Sequence, residues 1–216
     1  MPELPDVEAT RRYLLKSGLA GCSVRNVEIF WSRAVRTPAL EDFVLTLCGQ
    51  RIQDVGRRAK FLLFPLDHGW TLVMHLRMTG SLLVEPASSP RPVMTRNLYV
   101  LDDGRELRFV DPRKLGQIWL AQDTGPLLGG LGPEPLDPSF TVDVLQACLA
   151  RRTAPIKALL CDQAVIAGIG NIYADELLFA AGIHPLLPGS GLSRRRVERL
   201  HAEIGPMLEE ATETLT

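Results

Sequence analysis

Two residues at the start of the chain could do covalent chemistry together. Pro2 follows Met1, and Glu3 follows Pro2. Removal of an initiator methionine, usual before a small residue such as proline, leaves Pro2 as a free secondary amine. An α-amino group titrates near about 7.7–8.0, against about 10.4 for a lysine side chain. Much more of it is therefore unprotonated and nucleophilic at neutral pH. A secondary amine can attack a sugar carbon and pass to a charged iminium, which is an electron sink. Glu3 is within reach of the same reacting centre as an acid or base. The plainer reading of Pro2-Glu3-Leu4-Pro5-Asp6 is a well-capped helix start, and these residues alone favour it. Segments further along reverse that order.

The most informative of those segments runs from Ile156 to Glu176 and contains Gly168-Ile169-Gly170-Asn171. Its glycines allow a tight turn and a close backbone approach. Asn171 and the amides after it open a helix, and helix N-termini bind anions. Lys157 adds a positive charge from the preceding helix. This combination suits a phosphate of a nucleic-acid backbone, a contact that fixes register rather than sequence. A generic helical hairpin with a glycine turn has the same spacing.

The elements that position these groups fall into two sets. A first helix begins near Pro5, with Asp6 and Glu8 in its first turn, where carboxylates favour the helix dipole. Val7, Leu14 and Leu15 give it a partial apolar face, and Gly18 stops it. Short apolar-alternating runs follow at 23–30, 51–56, 60–66, 71–76, 80–85, 97–101, 106–110 and 117–120. Turn residues such as Asp67-His68-Gly69 and Asp102-Asp103-Gly104 separate them. That pattern predicts an antiparallel sandwich or barrel-like domain. The Pro/Ser-rich stretch 85–92 reads as a mobile loop. Around 125–138 glycine and proline dominate, and beyond this linker the periodicity is helical, at 142–150, 156–160, 174–181 and 193–212. Ser193 is a natural N-cap for the last helix, and Gly205-Pro206 is expected to kink or split it.

Composition sets the bounds. The chain has 216 residues and a net charge of −1. No stretch reads as a membrane span or signal peptide. Cys22, Cys48, Cys148 and Cys161 form no CxxC pair, so neither a metal site nor a disulfide framework is indicated. Reduced thiols fit a cytoplasmic protein. The near-neutral sum hides basic clusters at 57–60, 105–114, 151–157 and 194–196, which matter more than the total for a nucleic-acid partner. The 194–196 run reads best as a solvated face.

Six segments in order, PELPDVE at the N-terminus, GRRAK at 56–60, HLRMTGSL at 75–82, DPRKLG at 111–116, LGPEPL at 131–136 and GIGNIYADE at 168–176, resemble the formamidopyrimidine-DNA glycosylase (Fpg/Nei) family of base-excision repair enzymes. The resemblance covers nearly the whole chain. It implies an α+β protein: an N-terminal antiparallel β-sandwich over residues 1–124, the linker 125–138, and a helix–two-turn–helix DNA-binding domain over 139–216. Damaged double-stranded DNA would lie in the cleft between the domains. The implied setting is a monomer in a bacterial cytoplasm, associated with the nucleoid through DNA.

The resemblance also implies roles. Pro2 corresponds to the nucleophile that attacks C1′ of the damaged nucleoside. Glu3 corresponds to the general acid/base that assists sugar-ring opening, a task that calls for shielding from water. Lys60 corresponds to the lysine that contacts phosphates and the damaged base and assists β-elimination. Base excision from a duplex requires extrusion of the nucleotide, at about a few kcal/mol. Met78, Arg113 and Leu115 correspond to the residues that fill the gap, Arg113 by bonding the orphaned base and Leu115 as an apolar wedge. Asn171 and Lys157 would clamp nearby phosphates, with Arg151 adding a contact.

The chain departs from the family pattern at three points. Leu115 stands where many Fpg-type members carry phenylalanine, which leaves lesion preference open. Met94 stands at a position that often holds a phosphate-binding histidine, with Arg96 nearby as a substitute. The family continues past the position of Thr216 into a lesion-capping loop and a four-cysteine zinc finger, so truncation of a longer enzyme is the favoured reading, and no cofactor is expected in this chain. The leading function is a bifunctional glycosylase and abasic-site lyase for oxidised purines. The alternatives are a non-catalytic damage-binding fragment or family member, and a Nei-type enzyme for oxidised pyrimidines.

Overall fold

The computed structural model describes every residue from Met1 to Thr216. The chain divides into two compact units. One comprises Met1–Pro2, Val7–Pro126 and Thr216, and the other Glu3–Asp6 and Leu127–Leu215. The α+β class read from the sequence is the one observed.

The first unit carries most of helix α1 (Leu4–Lys16) and nine strands. The strands are β1 (Val24–Ile29), β2 (Val35–Thr37), β3 (Gly56–Arg58), β4 (Phe61–Pro65), β5 (Thr71–His75), β6 (Ser81–Pro86), β7 (Thr95–Leu101), β8 (Arg105–Val110) and β9 (Gln117–Ala121). They form a four-stranded sheet ordered β1-β7-β8-β6 and a five-stranded sheet ordered β2-β9-β5-β4-β3. Pairing is antiparallel except for the short parallel pair of β2 with β9. Alternation in β4 and β9 turns Leu62, Phe64, Ile118 and Leu120 inward. There they join Val27, Tyr99, Leu107 and Phe109 of the other sheet in one core. Val7 and Leu14 of α1 close that core, together with Phe43 and Leu47 of helix α2 (Leu40–Leu47).

Three local expectations change. Residues 51–56 do not form a strand: Arg51 and Ile52 make isolated bridges, and the hairpin strand starts at Gly56. Arg108 is not part of a basic surface but is buried, held by Glu106 through Nε at 2.9 Å. Its remaining nitrogens donate to the carbonyls of Pro86, Ser89 and Pro90, so the Pro/Ser-rich loop is pinned at three points. A buried guanidinium needs this many acceptors, and a turn without secondary structure supplies free carbonyls.

The second unit contains α3 (Gly125–Leu128), α4 (Val142–Leu149), α5 (Ile156–Cys161), α6 (Asn171–Ala180) and α7 (Arg194–Leu215). Thr141 caps α4, its hydroxyl accepting from the Val144 amide. The glycine-rich stretch before α4 is tied to this unit: Gly132 N–H donates to Gln163, and Ala167 N–H to Pro133. Helix α7 runs unbroken through Pro206, contrary to the expected split. Leu200, Ile204, Leu208 and Thr212 recur every four residues and are all buried. That continuous stripe offsets the roughly 3 kcal/mol an interior proline costs. Arg194, Arg195 and Arg196 are exposed, as read from the sequence. No helix is long and apolar enough to cross a membrane.

Candidate active site

The N-terminal residues are held from both ends. Glu3 is the N-cap of α1, and its backbone N–H donates to Asp6 Oδ2 at 2.8 Å, the return half of a capping box. Its side chain does not serve its own helix. The Glu3 carboxylate, only 2% exposed, sits at the N-terminus of α6. Oε2 accepts the Gly170 amide at 2.7 Å and the Tyr173 amide at 3.3 Å, while Oε1 accepts the Ile172 amide at 2.9 Å. These are donors that a helix cannot satisfy internally, and the positive end of its dipole favours an anion. The sequence assigns these amides to a DNA phosphate. The structure puts the protein's own carboxylate there, and of the first turn it leaves the exposed Asn171 side chain for an outside partner.

Two glycines make that approach possible, for different reasons. Gly168 has φ of +89°, and a Cβ there would lie 2.6 Å from Leu4 Cδ1. Its carbonyl accepts the Leu4 amide at 3.0 Å. Gly170 has an ordinary extended backbone, φ −131° and ψ −155°. Its requirement is space, because an added Cβ would fall 2.5 Å from Glu3 Cδ and Oε1. Burial first, then the Asp6 and Glu3 carboxylates, push the Tyr173 phenol upward.

In the first unit, Pro2 is half-buried beside exposed Met1. Lys60 follows Ala59, whose φ is +52°, at the β3–β4 turn. It is only 4% exposed, not the surface hairpin lysine that local sequence alone would suggest. An ammonium is rarely buried unless its charge is answered nearby. The support for this turn comes from Arg57, which the sequence reading counts only as one cation of a basic cluster. Arg57 Nη1 donates to the Ala59 carbonyl at 3.0 Å, and Nε to Glu8 Oε2 at 3.0 Å. The Glu8 of one motif and the Arg57 of another thus join α1 to the turn that carries Lys60. Burial alone would raise the Glu8 pKa, but hydrogen bonds from Arg11 and Arg57 override it and hold the carboxyl at about 2. The two motifs are separated by 49 residues, so only the fold reveals the pair.

His75 is buried near the same turn. Burial, then the charges of Arg77 and Lys60, lower its pKa to about 4, so the ring is neutral at pH 7. Nδ1 accepts the Arg77 amide at 3.0 Å, which leaves the ring proton on Nε2. The ring meets Phe61 edge-on at 4.7 Å between centroids.

The residues assigned to the duplex gap lie on two loops. Met78 is exposed in the 77–80 turn between β5 and β6, while Arg113 and Leu115 are exposed in the 111–116 loop between β8 and β9. Asp111, which enters the sequence reading only as the first residue of the DPRKLG segment, joins the two. Its Oδ1 accepts the Thr79 hydroxyl at 2.6 Å and the Arg113 amide at 3.2 Å. Its Oδ2 accepts the amides of Leu115 and Gly116, each at 2.7 Å. Arg96 turns to the same loop, with Nε 2.7 Å from the Asp111 carbonyl and Nη2 3.4 Å from that of Pro112. Lys114 reaches the Trp31 ring, its Nζ 4.4 Å from the centroid.

In the second unit, Lys157 and Asn171 line one apolar groove with Pro155, Ala158, Cys161 and Leu186, of about 560 Å³. Lys157 Nζ pairs with Asp175 at 2.8 Å. An exposed pair of this kind is worth at most about 1 kcal/mol, so a phosphate can compete for the lysine. Arg151, with φ of +63°, is exposed beyond α4 and lines a separate pocket with Gln146 and Ser190. The structure therefore brings Lys157 and Asn171 together and sets Arg151 apart from them.

Comparison with known proteins gives a consistent result. Residues 1–118 match the formamidopyrimidine-DNA glycosylase N-terminal domain, and residues 131–216 match the formamidopyrimidine-DNA glycosylase H2TH domain. A formamidopyrimidine-DNA glycosylase of Chloroflexus aggregans is 50% identical over 214 residues, 98% of this chain and 77% of that protein. The one from Bacillus subtilis is 43% identical over 217 residues, 98% of this chain and 78% of its own length. The Lactococcus lactis FPG (MutM), crystallised with a FAPY-dG-containing DNA, aligns with a TM-score of 0.90 at 32% identity, covering 98% of this chain and 80% of that one. With both domains matched and half of all positions shared with a relative, the chain belongs to the formamidopyrimidine-DNA glycosylase family.

Proposed function

We propose that the chain is a DNA glycosylase and abasic-site lyase of base-excision repair that removes oxidised purines such as 8-oxoguanine and formamidopyrimidines from duplex DNA. The observation that carries the reading is the buried Glu3 carboxylate, fixed by three amides immediately after Pro2, whose nitrogen becomes a free amine once Met1 is removed. In the proposed sequence, the Pro2 nitrogen attacks C1′ and the glycosidic bond breaks, its electron pair leaving with the base, which takes a proton from solvent. The Glu3 carboxylate takes the amine proton and passes it to O4′ as the C1′–O4′ bond opens, and the C1′=N⁺ iminium forms. The iminium acidifies C2′, and loss of that proton expels the 3′ phosphate. Water finally hydrolyses the iminium and frees the amine.

Lys60 contributes positive charge for the phosphates and the damaged base. Lys157, Asn171 and Arg151 hold the backbone, and Met78, Arg113 and Leu115 occupy the gap left by the extruded nucleotide. A lesion is a single asymmetric point on the duplex, which one copy of the chain suffices to engage. The site of action is the nucleoid of a bacterial cytoplasm. No step draws on a metal.

Duplexes carrying either 8-oxoguanine or thymine glycol test the reading directly. The chain with Met1 removed is expected to cleave the strand at 8-oxoguanine faster. Faster cleavage at thymine glycol would favour the oxidised-pyrimidine alternative. Lesion-selective binding without cleavage would make the chain a damage-binding module.

A further inference from the structure

The exposed residues assigned to the duplex gap sit on different loops, yet a single buried carboxylate holds both. Asp111 is 1% exposed. Its two oxygens receive Thr79, Arg113, Leu115 and Gly116, an acceptor set fully used by donors from both loops. The loops need this restraint. Arg77 and Lys114 have φ of +56° and +58°, a conformation that costs non-glycine residues about 1 kcal/mol or more. Those residues immediately precede Met78 and Leu115 and set the direction of each. Gly116 closes the arrangement, because a Cβ there would lie 2.2 Å from Phe109 Cζ and 3.3 Å from Asp111 Oδ2.

We infer that Asp111, acting through the Thr79 hydroxyl, is a positioning residue that sets Met78 relative to Arg113 and Leu115 before DNA binds. The inference rests on the proposed role of those three residues in the duplex gap. Asp111 and Thr79 touch neither substrate nor reacting atoms. Their contribution is to make two separate loops one preorganised wedge, so that no ordering is required at the moment of base extrusion. The carboxylate organises the 111–116 loop, and the Thr79 hydroxyl, which also accepts the Arg113 amide at 3.4 Å, bridges that loop to the Met78 turn, while Arg77 ties the turn to Gln117 at the start of β9. The two functions can therefore be separated by substitution.

Thr79→Val removes the bridge and preserves side-chain shape, while Thr79→Ser restores a hydroxyl. Asp111→Asn keeps the shape but places an NH2 against donor groups. The readout is the excision rate of 8-oxoguanine opposite cytosine and opposite adenine, measured for each variant and the parent chain. Thr79→Val is expected to lose about tenfold or more in rate, with the cytosine-to-adenine ratio falling toward one. Thr79→Ser is expected to keep the parent ratio, and Asp111→Asn to lose it. General loss of stability would lower both rates together and leave the ratio intact. A Thr79→Val chain with the parent rate and ratio would overturn the inference, as would an equal loss opposite both bases. A parent chain inactive on both duplexes would instead overturn the glycosylase reading, and this inference with it.

Discussion

Glu3→Gln is expected to lower excision by at least about 100-fold while leaving affinity for lesion DNA largely in place. A positioned general acid or base contributes roughly 10²–10⁴ in rate, and glutamine cannot move a proton at O4′. The substitution also has a structural consequence that its near-isosteric shape conceals. Oε1 and Oε2 both accept amides of the α6 start. Glutamine retains one acceptor oxygen and turns an NH2 toward the other donors. Each buried amide left without an acceptor costs about 1–3 kcal/mol, equivalent to a melting-temperature loss of several degrees in a chain of this size. Turnover, DNA affinity and thermal unfolding should therefore be measured on the same preparation, with the kinetics run well below the variant's transition. Parent-level turnover would remove Glu3 from the chemistry.

Gly170→Ala is expected to approach the same catalytic loss without altering any ionisable group. The new methyl would occupy the position of the Glu3 carboxylate, 2.5 Å from Cδ. The backbone of residue 170 accommodates alanine, since φ of −131° is ordinary extended geometry. The conflict falls instead on the far end of a flexible side chain, which can rotate away. Rotation would leave the Gly170, Ile172 and Tyr173 amides without their acceptor, so stability should fall at least as far as in Glu3→Gln, while excision falls by about 100-fold, because an acid displaced by even 1 Å loses its alignment with the sugar oxygen. The two substitutions act on one group, so the double variant should be no slower than Glu3→Gln alone. Additive losses, or parent-level excision by Gly170→Ala, would show that the carboxylate works from some other position.

The fold was legible where its determinants are local. The turn residues at 67–69 and 102–104 separate the hairpins observed there, and the helical run read from 142 begins there as α4. The same local logic placed Gly168 at a turn needing positive φ. What stayed hidden depends on contacts across long stretches of chain. Glu3 and Gly170 lie 167 positions apart, so an anion site could be recognised at α6 without revealing which anion fills it. Arg108 reads as one more cation in a basic cluster until the sandwich buries it beside Glu106. Pro206 is a helix breaker by propensity, overruled by a buried stripe visible only once the partner helices are placed. Asp111 and Arg57 were not singled out because a carboxylate after a strand and a cation in a hairpin are ordinary surface features. Their importance lies in which distant loops they join.

The central claim is that the amine of Pro2 forms the covalent intermediate. It is tested most directly by borohydride reduction in the presence of duplex DNA with an abasic site, followed by proteolysis and mass mapping of the adduct. A chain beginning at Pro2 is expected to yield an adduct on the N-terminal peptide, and the same chain extended by one residue ahead of Pro2 is expected to yield none. An adduct that maps to Lys60, or undiminished trapping by the extended chain, would contradict it.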